Sequence, residues 1–229
     1  FQKDVLYIFY DPYLYSFIFI LIMRIYLFID GNNFYHTLPQ SIELDYDALA
    51  KHVVSKVGGT SAVLNGAYYY TGCGEHPNLE RFLKALEQRM GFFVRREPVV
   101  QKRIQCQHCG EVSSLNIEKR VDTRLVAEMV QYAALNHYDR AVVFSGDQDI
   151  VPAVEAVHTL GKQVLVASWG GRALSSVLRS KSYGVIDLEP DQAAFARRRM
   201  FKEHSTSGTG QSDHGQERLL ELIYQQVNE

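Results

Sequence analysis

Short apolar runs alternate with amphipathic stretches along most of this chain, which is the pattern of strands interleaved with helices. Residues 25–29 (IYLFI) form a continuous apolar run closed by Asp30-Gly31, as expected of a strand buried on both faces of a parallel sheet. Asp45 is placed to cap a helix through YDALAKHVVSKV, which Gly58-Gly59 would end. Residues 62–70 (AVLNGAYYY) are rich in aromatic and apolar residues and predict a second strand. Pro77 then opens a helix with Leu79, Phe82, Leu83 and Leu86 at helical spacing and Gly91 as its stop. FFVRREPVV predicts a third strand, ended or pushed to a sheet edge by Pro98.

The second half repeats the alternation. Residues 99–118 carry QCQHCG and short polar alternations, and read as an inserted hairpin or loop. A helix is expected from Lys119 to about Asn136, a strand over 141–144, a helix over 150–160 and a strand over 164–167. A short helix over 172–180 and a last strand over 185–188 follow. Strands alternating with helices give parallel βαβ units with right-handed crossovers. The expected fold is α/β, a three-layer α/β/α sandwich with a mostly parallel central sheet.

Both ends depart from this pattern. Residues 1–22 are hydrophobic, but their apolar run over 13–23 is about half of the ~20 residues that a spanning helix needs. The chain opens with Phe, whereas Met23 directly precedes the first core strand, so residues 1–22 read as an upstream extension. A membrane role is expected only if residues 5–23 are native and inserted. The domain proper is placed at 23–190. Beyond it, AAFARRRMFKEH looks helical and basic, and STSGTGQSDHG reads as a flexible linker. ERLLELIYQQV then forms an amphipathic helix that must dock in cis, on a protein partner or on a second copy.

Composition adds little to this picture. A formal charge of −2 leaves room for a local basic face and excludes no nucleic-acid partner. Three cysteines are too few for a disulfide framework and suit a reducing compartment, the cytoplasm.

The candidate chemistry lies in four aspartates. Asp30 follows the first strand, Asp147 follows the strand at 141–144, Asp149 stands two residues further on, and Asp122 opens a helix. Ligands of open parallel sheets bind beyond the carboxyl ends of the strands, where Asp30 and Asp147 are expected to meet. Counting from Asp122 by three and four reaches Leu125, Val126, Met129 and Ala133, so its carboxylate lies on or beside the face the helix should bury. Carboxylates gathered this way suit a hard cation, Mg²⁺ or Mn²⁺, with positions left for water and a phosphate. Helix capping is the competing role for Asp122 and, with at least equal force, for Asp149. Asn32 and Asn33 could bind a phosphate or simply form the turn, and Ser145-Gly146 would let backbone approach a ligand. His36 reads as solvated or structural.

Two further groups stand out. Cys106 and Cys109 form a knuckle-like half of a structural Zn²⁺ site; Cys73 and His76 could complete it, or the thiols could be free in a reduced loop. Basic residues run through the middle of the chain (Arg95, Arg96, Lys102, Arg103, Lys119, Arg120, Arg124) and recur at Arg172, Arg179 and Lys181. Such residues beside an acidic site match a binder of phosphate backbone, with Arg124 and Arg172 as candidate substrate contacts. Tyr68, Tyr69 and Tyr70 could stack on bases, though tyrosines in a strand more often belong to core and rim.

YLFIDGNNFYHTL, KRVDTRLVAEMV and YDRAVVFSGDQDIVPAVEAVHTLGKQVLVAS, in that order, resemble the NYN domains, specifically the LabA-like branch of the PIN-like nuclease superfamily. The resemblance covers residues 23–188, and SGDxD followed by a helix, a Gly and a strand is its most specific part. It implies a PIN-like sandwich and a metal-dependent ribonuclease site at Asp30, Asp122, Asp147 and Asp149, with Asn33 matching the Asn of the DGxN motif. The family commonly carries Gly where Arg120 stands. The leading expectation is therefore an endoribonuclease dependent on Mg²⁺ or Mn²⁺ that hydrolyses RNA phosphodiester bonds. The alternative is an RNA-binding or regulatory NYN protein with weak or no nuclease activity. Aspartyl phosphatase chemistry is disfavoured, because Asp30 lacks the DxD form of that nucleophile.

Overall fold

The computed structural model describes residues 22–198, apart from 40–41, 75–76, 106–109 and 111. In chain order the elements are β1 (Met23–Asp30), α1 (Gly31–Thr37), β2 (Ile42–Leu44), α2 (Tyr46–Gly58), β3 (Ala62–Cys73) and α3 (Pro77–Met90). There follow β4 (Phe93–Gln105), β5 (Val112–Glu118), α4 (Val121–Ala134), β6 (Arg140–Phe144), α5 (Val151–Thr159) and β7 (Gln163–Ser168). The last are α6 (Ser176–Lys181), β8 (Gly184–Asp187) and β9 (Ala196–Arg198). The upstream extension (Ile22 excepted), the knuckle residues Cys106 and Cys109 with His76, and the chain after Arg198, where a terminal helix is expected, fall outside the described residues.

Seven strands form one sheet in the order β5-β4-β3-β1-β6-β7-β8, all parallel except β5. The period-2 alternation of β1 decides its layers. Ile25, Leu27 and Ile29 enter one core cluster with Leu49 and Val53 of α2 and Leu83 and Leu86 of α3. Tyr26 and Phe28 enter the other, with Leu125 and Met129 of α4, Val154 and Val157 of α5 and Leu178 of α6. Helices thus cover both faces, which is the expected three-layer sandwich. Tyr68, Tyr69 and Tyr70 are all buried within it, so they act as core rather than as a stacking platform.

Local signals set most boundaries. The Asp45 carboxylate accepts the Ala48 N–H at 3.0 Å and starts α2, while Gly59 ends it with a φ of 63°. Pro98 marks a change of partner within β4: the strand pairs with β3 as far as Cys73↔Pro98 and from Val99 onward with β5 alone. The inserted segment is therefore an antiparallel hairpin growing from the sheet edge, where a proline without an N–H is tolerated.

Two expectations fail. The helix expected over 172–180 begins only at Ser176, because Gly170, Gly171 and Ala173 all take left-handed φ and the Ser175 N–H donates to the Gly146 carbonyl. The segment expected to be helical and basic opens with a 3-10 turn, Gln192–Ala194, and then forms β9, antiparallel to β2. Phe195 anchors this turn, buried edge-on against Trp169 at 5.9 Å. Three-residue strands are too short for periodicity to reveal.

Candidate active site

The chain winds from β1 outward through β3 and β4, then returns to the other side of β1 and winds outward through β6, β7 and β8. Strand order therefore reverses between β1 and β6, the place where open parallel sheets leave a crevice beyond their carboxyl ends. Ile29 and Phe144 are register partners across this junction, and Asp30 and Ser145 are the next residues on each side.

Asp30 is only 5% exposed and does two local tasks. One oxygen caps α1 by accepting the Asn33 N–H at 3.1 Å, and the other accepts from the Ser145 hydroxyl at 3.3 Å. The exit of β6 is built in the same way. The Ser145 hydroxyl accepts the Asp147 N–H at 3.3 Å, and the Asp147 carboxylate accepts the Asp149 N–H at 3.0 Å. Asn33 closes the arrangement, its side-chain oxygen accepting the Gly146 N–H at 2.9 Å. Asp147, not Asp149, is therefore the cap of the turn that leads into α5.

Asp122 enters from the first turn of α4. The buried stripe of that helix is Val121, Leu125, Met129 and Ala133, so Asp122 stands beside it and opens to solvent. The cost of burying a charge on that face is smaller than the spacing suggests. Its carboxyl is nevertheless raised above the usual range, first by the protein packed around it and then by the negative charges of Asp147 and Asp149. Since the group is open to water, that repulsion is partly screened.

Asp30, Asp122 and Asp147 line one cleft of about 300 Å³, together with Asn32, Asn33, His36, Arg120 and Val121. Asp149 is exposed and not among the lining residues, but it is close enough to Asp122 to act on its charge. Burial pushes the His36 imidazole below its ordinary pKa, toward the neutral form. Among the described residues no three His, Cys, Asp or Glu side chains are drawn together tightly enough to cage a metal ion. The donor chemistry fits a hard cation all the same: Mg²⁺ keeps several waters and commonly takes only one or two carboxylates.

The remaining candidates are not among the residues lining this cleft. Ser145 is buried and its hydroxyl is engaged between Asp30 and Asp147. Arg124 is held by Glu97 at 2.7 Å and Glu128 at 2.9 Å, outside the cleft lining. Arg172 pairs with Glu189 at 3.0 Å and borders a narrower depression behind Asn33 and Ser145. Arg95 and Arg96 are also committed to internal ion pairs, with Glu128 and with Glu80 and Glu87. Cys73 is level with Pro98, and β4 runs seven residues further to Gln105, on the order of 23 Å along a strand. The other members of the candidate zinc set, His76, Cys106 and Cys109, lie outside the described residues.

Arg120 is the cleft residue to which periodicity gives no role. Its φ of 72° lies in the left-handed region that favours glycine, which accounts for the glycine that the resembling family carries there. That departure from the motif was the available signal.

A switch-point crevice lined by carboxylates from two strand ends and a helix start defines an α/β protein with an acidic candidate site. The match to the NYN domain family extends over residues 24–189, and the chain belongs to that family, whose members are generally ribonuclease-like and bind RNA. It is 26% identical over 166 residues to the low amplitude and bright protein LabA of Synechococcus elongatus, covering 72% of this chain and 83% of LabA. Its fold is similar to the crystal structure of a protein of unknown function from Vibrio parahaemolyticus. That likeness has a TM-score of 0.58 at 20% identity, over 76% of this chain and 96% of the other.

Proposed function

We propose that the protein is a divalent-metal-dependent endoribonuclease whose catalytic and metal-holding residues are Asp30, Asp122 and Asp147, with Asp149 at the rim. The observation that carries this reading is the meeting of three carboxylates from separate elements in one open cleft at the switch point. Membership of a generally ribonuclease-like family supports it.

Bound Mg²⁺ or Mn²⁺ would supply Lewis acidity toward the phosphodiester and lower the pKa of an attacking water. The chain's own residues do the rest. Asp30 and Asp147 are fixed by the Ser145 hydroxyl and the turn N–H groups, so their oxygens present a preorganised anionic wall. The Asn33 side-chain oxygen is spent on Gly146, which leaves its NH₂ group to donate toward a phosphate, with Asn32 beside it. His36 contributes a neutral imidazole to the lining.

The test is cleavage of a mixed RNA pool in Mn²⁺ and in Mg²⁺ by the wild type, Asp30→Asn and Asp147→Asn. Both variants should lose at least about 10²-fold in rate, the scale at which one preorganised electrostatic group acts. Unchanged cleavage by either variant would refute the assignment. Binding of RNA without cleavage by the wild type would favour the regulatory alternative.

A further inference from the structure

We propose that Arg120 is the arm that grips the RNA phosphate backbone at the mouth of this cleft, a substrate-positioning role that rests on the ribonuclease reading of the site. A cleft walled by Asp30, Asp122 and Asp147 repels a polyanion unless a cation is set beside it. Arg120 is the one Arg or Lys among the described residues lining that cleft.

Its neighbours are spoken for. Arg124, Arg95 and Arg96 sit in close ion pairs at 2.7–3.3 Å, on Glu97, Glu128, Glu80 and Glu87. Arg120 is held far less firmly. Its Nε is 3.6 Å from Glu97, a buried carboxylate that Arg124 already engages at 2.7 Å, and 68% of its side chain is exposed. A guanidinium tethered this loosely can turn to a phosphate without leaving Glu97 unpaired, and its planar fork matches phosphate oxygens.

The backbone supports the same conclusion. Arg120 precedes α4 with φ 72° and ψ −1°, and its side chain makes no capping bond to the helix. Local stability alone would favour glycine at this position. What the arginine adds is charge at the cleft.

The experiment compares the full-length wild type, Arg120→Gly and Arg120→Lys. Binding of a fluorescein-labelled single-stranded oligoribonucleotide is read by anisotropy in EDTA over a range of salt, beside thermal unfolding of each variant. Arg120→Gly should bind roughly five- to tenfold more weakly at low salt, with the slope of log K against log salt reduced by about one. Arg120→Lys should recover part of the affinity and the slope, and the Tm of Arg120→Gly should equal or exceed that of the wild type.

Unchanged affinity and slope in Arg120→Gly would overturn the proposal. Weaker binding accompanied by a fall in Tm would do the same, by assigning the arginine a structural role. Failure of the wild type to bind RNA in EDTA would overturn the arm, and failure to bind or cleave the same oligonucleotide in Mn²⁺ would overturn the ribonuclease reading. Wild-type binding without Mn²⁺-dependent cleavage of the same oligonucleotide would remove only the nuclease reading, and the Arg120→Gly comparison would still decide the arm.

Discussion

The Asn33 side-chain oxygen accepts the Gly146 N–H at 2.9 Å and so ties the first turn of α1, directly after β1, to the loop after β6. Asp30 caps the first of these segments and Asp147 stands in the second. Replacing Asn33 with Ala leaves the Gly146 N–H without this partner and should destabilise the fold by about 1–3 kcal/mol. Urea unfolding measures that loss, and RNA cleavage should fall by more than the stability change explains, because the two carboxylates lose their common tether. A cleavage rate equal to the wild type's in folded Asn33→Ala would show that the tether does not position the site.

Gly146 is crowded from the other side. A Cβ there would lie 2.0 Å from the Ala173 carbonyl oxygen, and backbone cannot yield as a flexible side chain does. The loop from Gly170 would have to move, and it is already held by the bond from the Ser175 N–H to the Gly146 carbonyl. Gly146→Ala should cost about 1–3 kcal/mol, the usual range for overpacking. Gly161→Ala is the control, since its Cβ would meet open space and only its φ of 74° resists the change. The smaller loss of Tm should fall on Gly161→Ala.

Much of this organisation was legible in the chain. Asp30 and Asp147 could be placed at adjacent strand ends because one closes an apolar run and the other stands three residues beyond the end of another, and the Asp45 cap and Gly59 stop fixed α2. What stayed hidden depends on contacts between distant residues. The short β2–β9 pair is held by Phe195 packing on Trp169, 26 positions earlier, which no local period encodes. The basic run through Arg95, Arg96 and Arg124 reads as a phosphate-binding face in sequence, where the ion pairs these residues make with Glu80, Glu87, Glu97 and Glu128 do not show. Arg120 differed in its backbone angle, a property that spacing does not report.

Glu128 of α4 joins the helix carrying Asp122 to the sheet. It accepts from Tyr70 of β3 at 2.9 Å, from Arg95 of β4 at 2.9 Å and from Arg124 of its own helix at 2.9 Å. The arginine bonds and the Tyr70 hydroxyl hold its carboxyl below the usual range against the opposing effect of burial. Glu128→Ala leaves two guanidinium groups and a buried phenol without this acceptor, and removal of one partner from such a pair costs about 3–5 kcal/mol. Chemical denaturation should show a loss toward the lower end, since Arg95 keeps its bond to Tyr132 and Arg124 its bond to Glu97. A loss below about 1 kcal/mol would mean that the network acts as an exposed ion pair does.

Asp122 should trade stability for function. Its carboxyl is raised in the folded state by the surrounding protein and by Asp147 and Asp149, so the folded chain holds that proton more tightly than the unfolded chain. The group therefore costs nothing well below the ordinary aspartate pKa. Its cost appears as pH rises through that value toward the raised folded one, and persists at neutral pH. Asp122→Asn should accordingly have a higher Tm than the wild type at pH 7 in EDTA, with the gap closing at pH 3. Mn²⁺ should narrow the gap at pH 7 by stabilising the wild type more than the variant, as expected of an ion that binds only the folded carboxylates. Calorimetry at the two pH values, with and without Mn²⁺, reads all three effects. An Asp122→Asn variant with lower Tm at pH 7 in EDTA would overturn the electrostatic cost, and one that gains as much from Mn²⁺ as the wild type would remove Asp122 from the set of residues holding the cation.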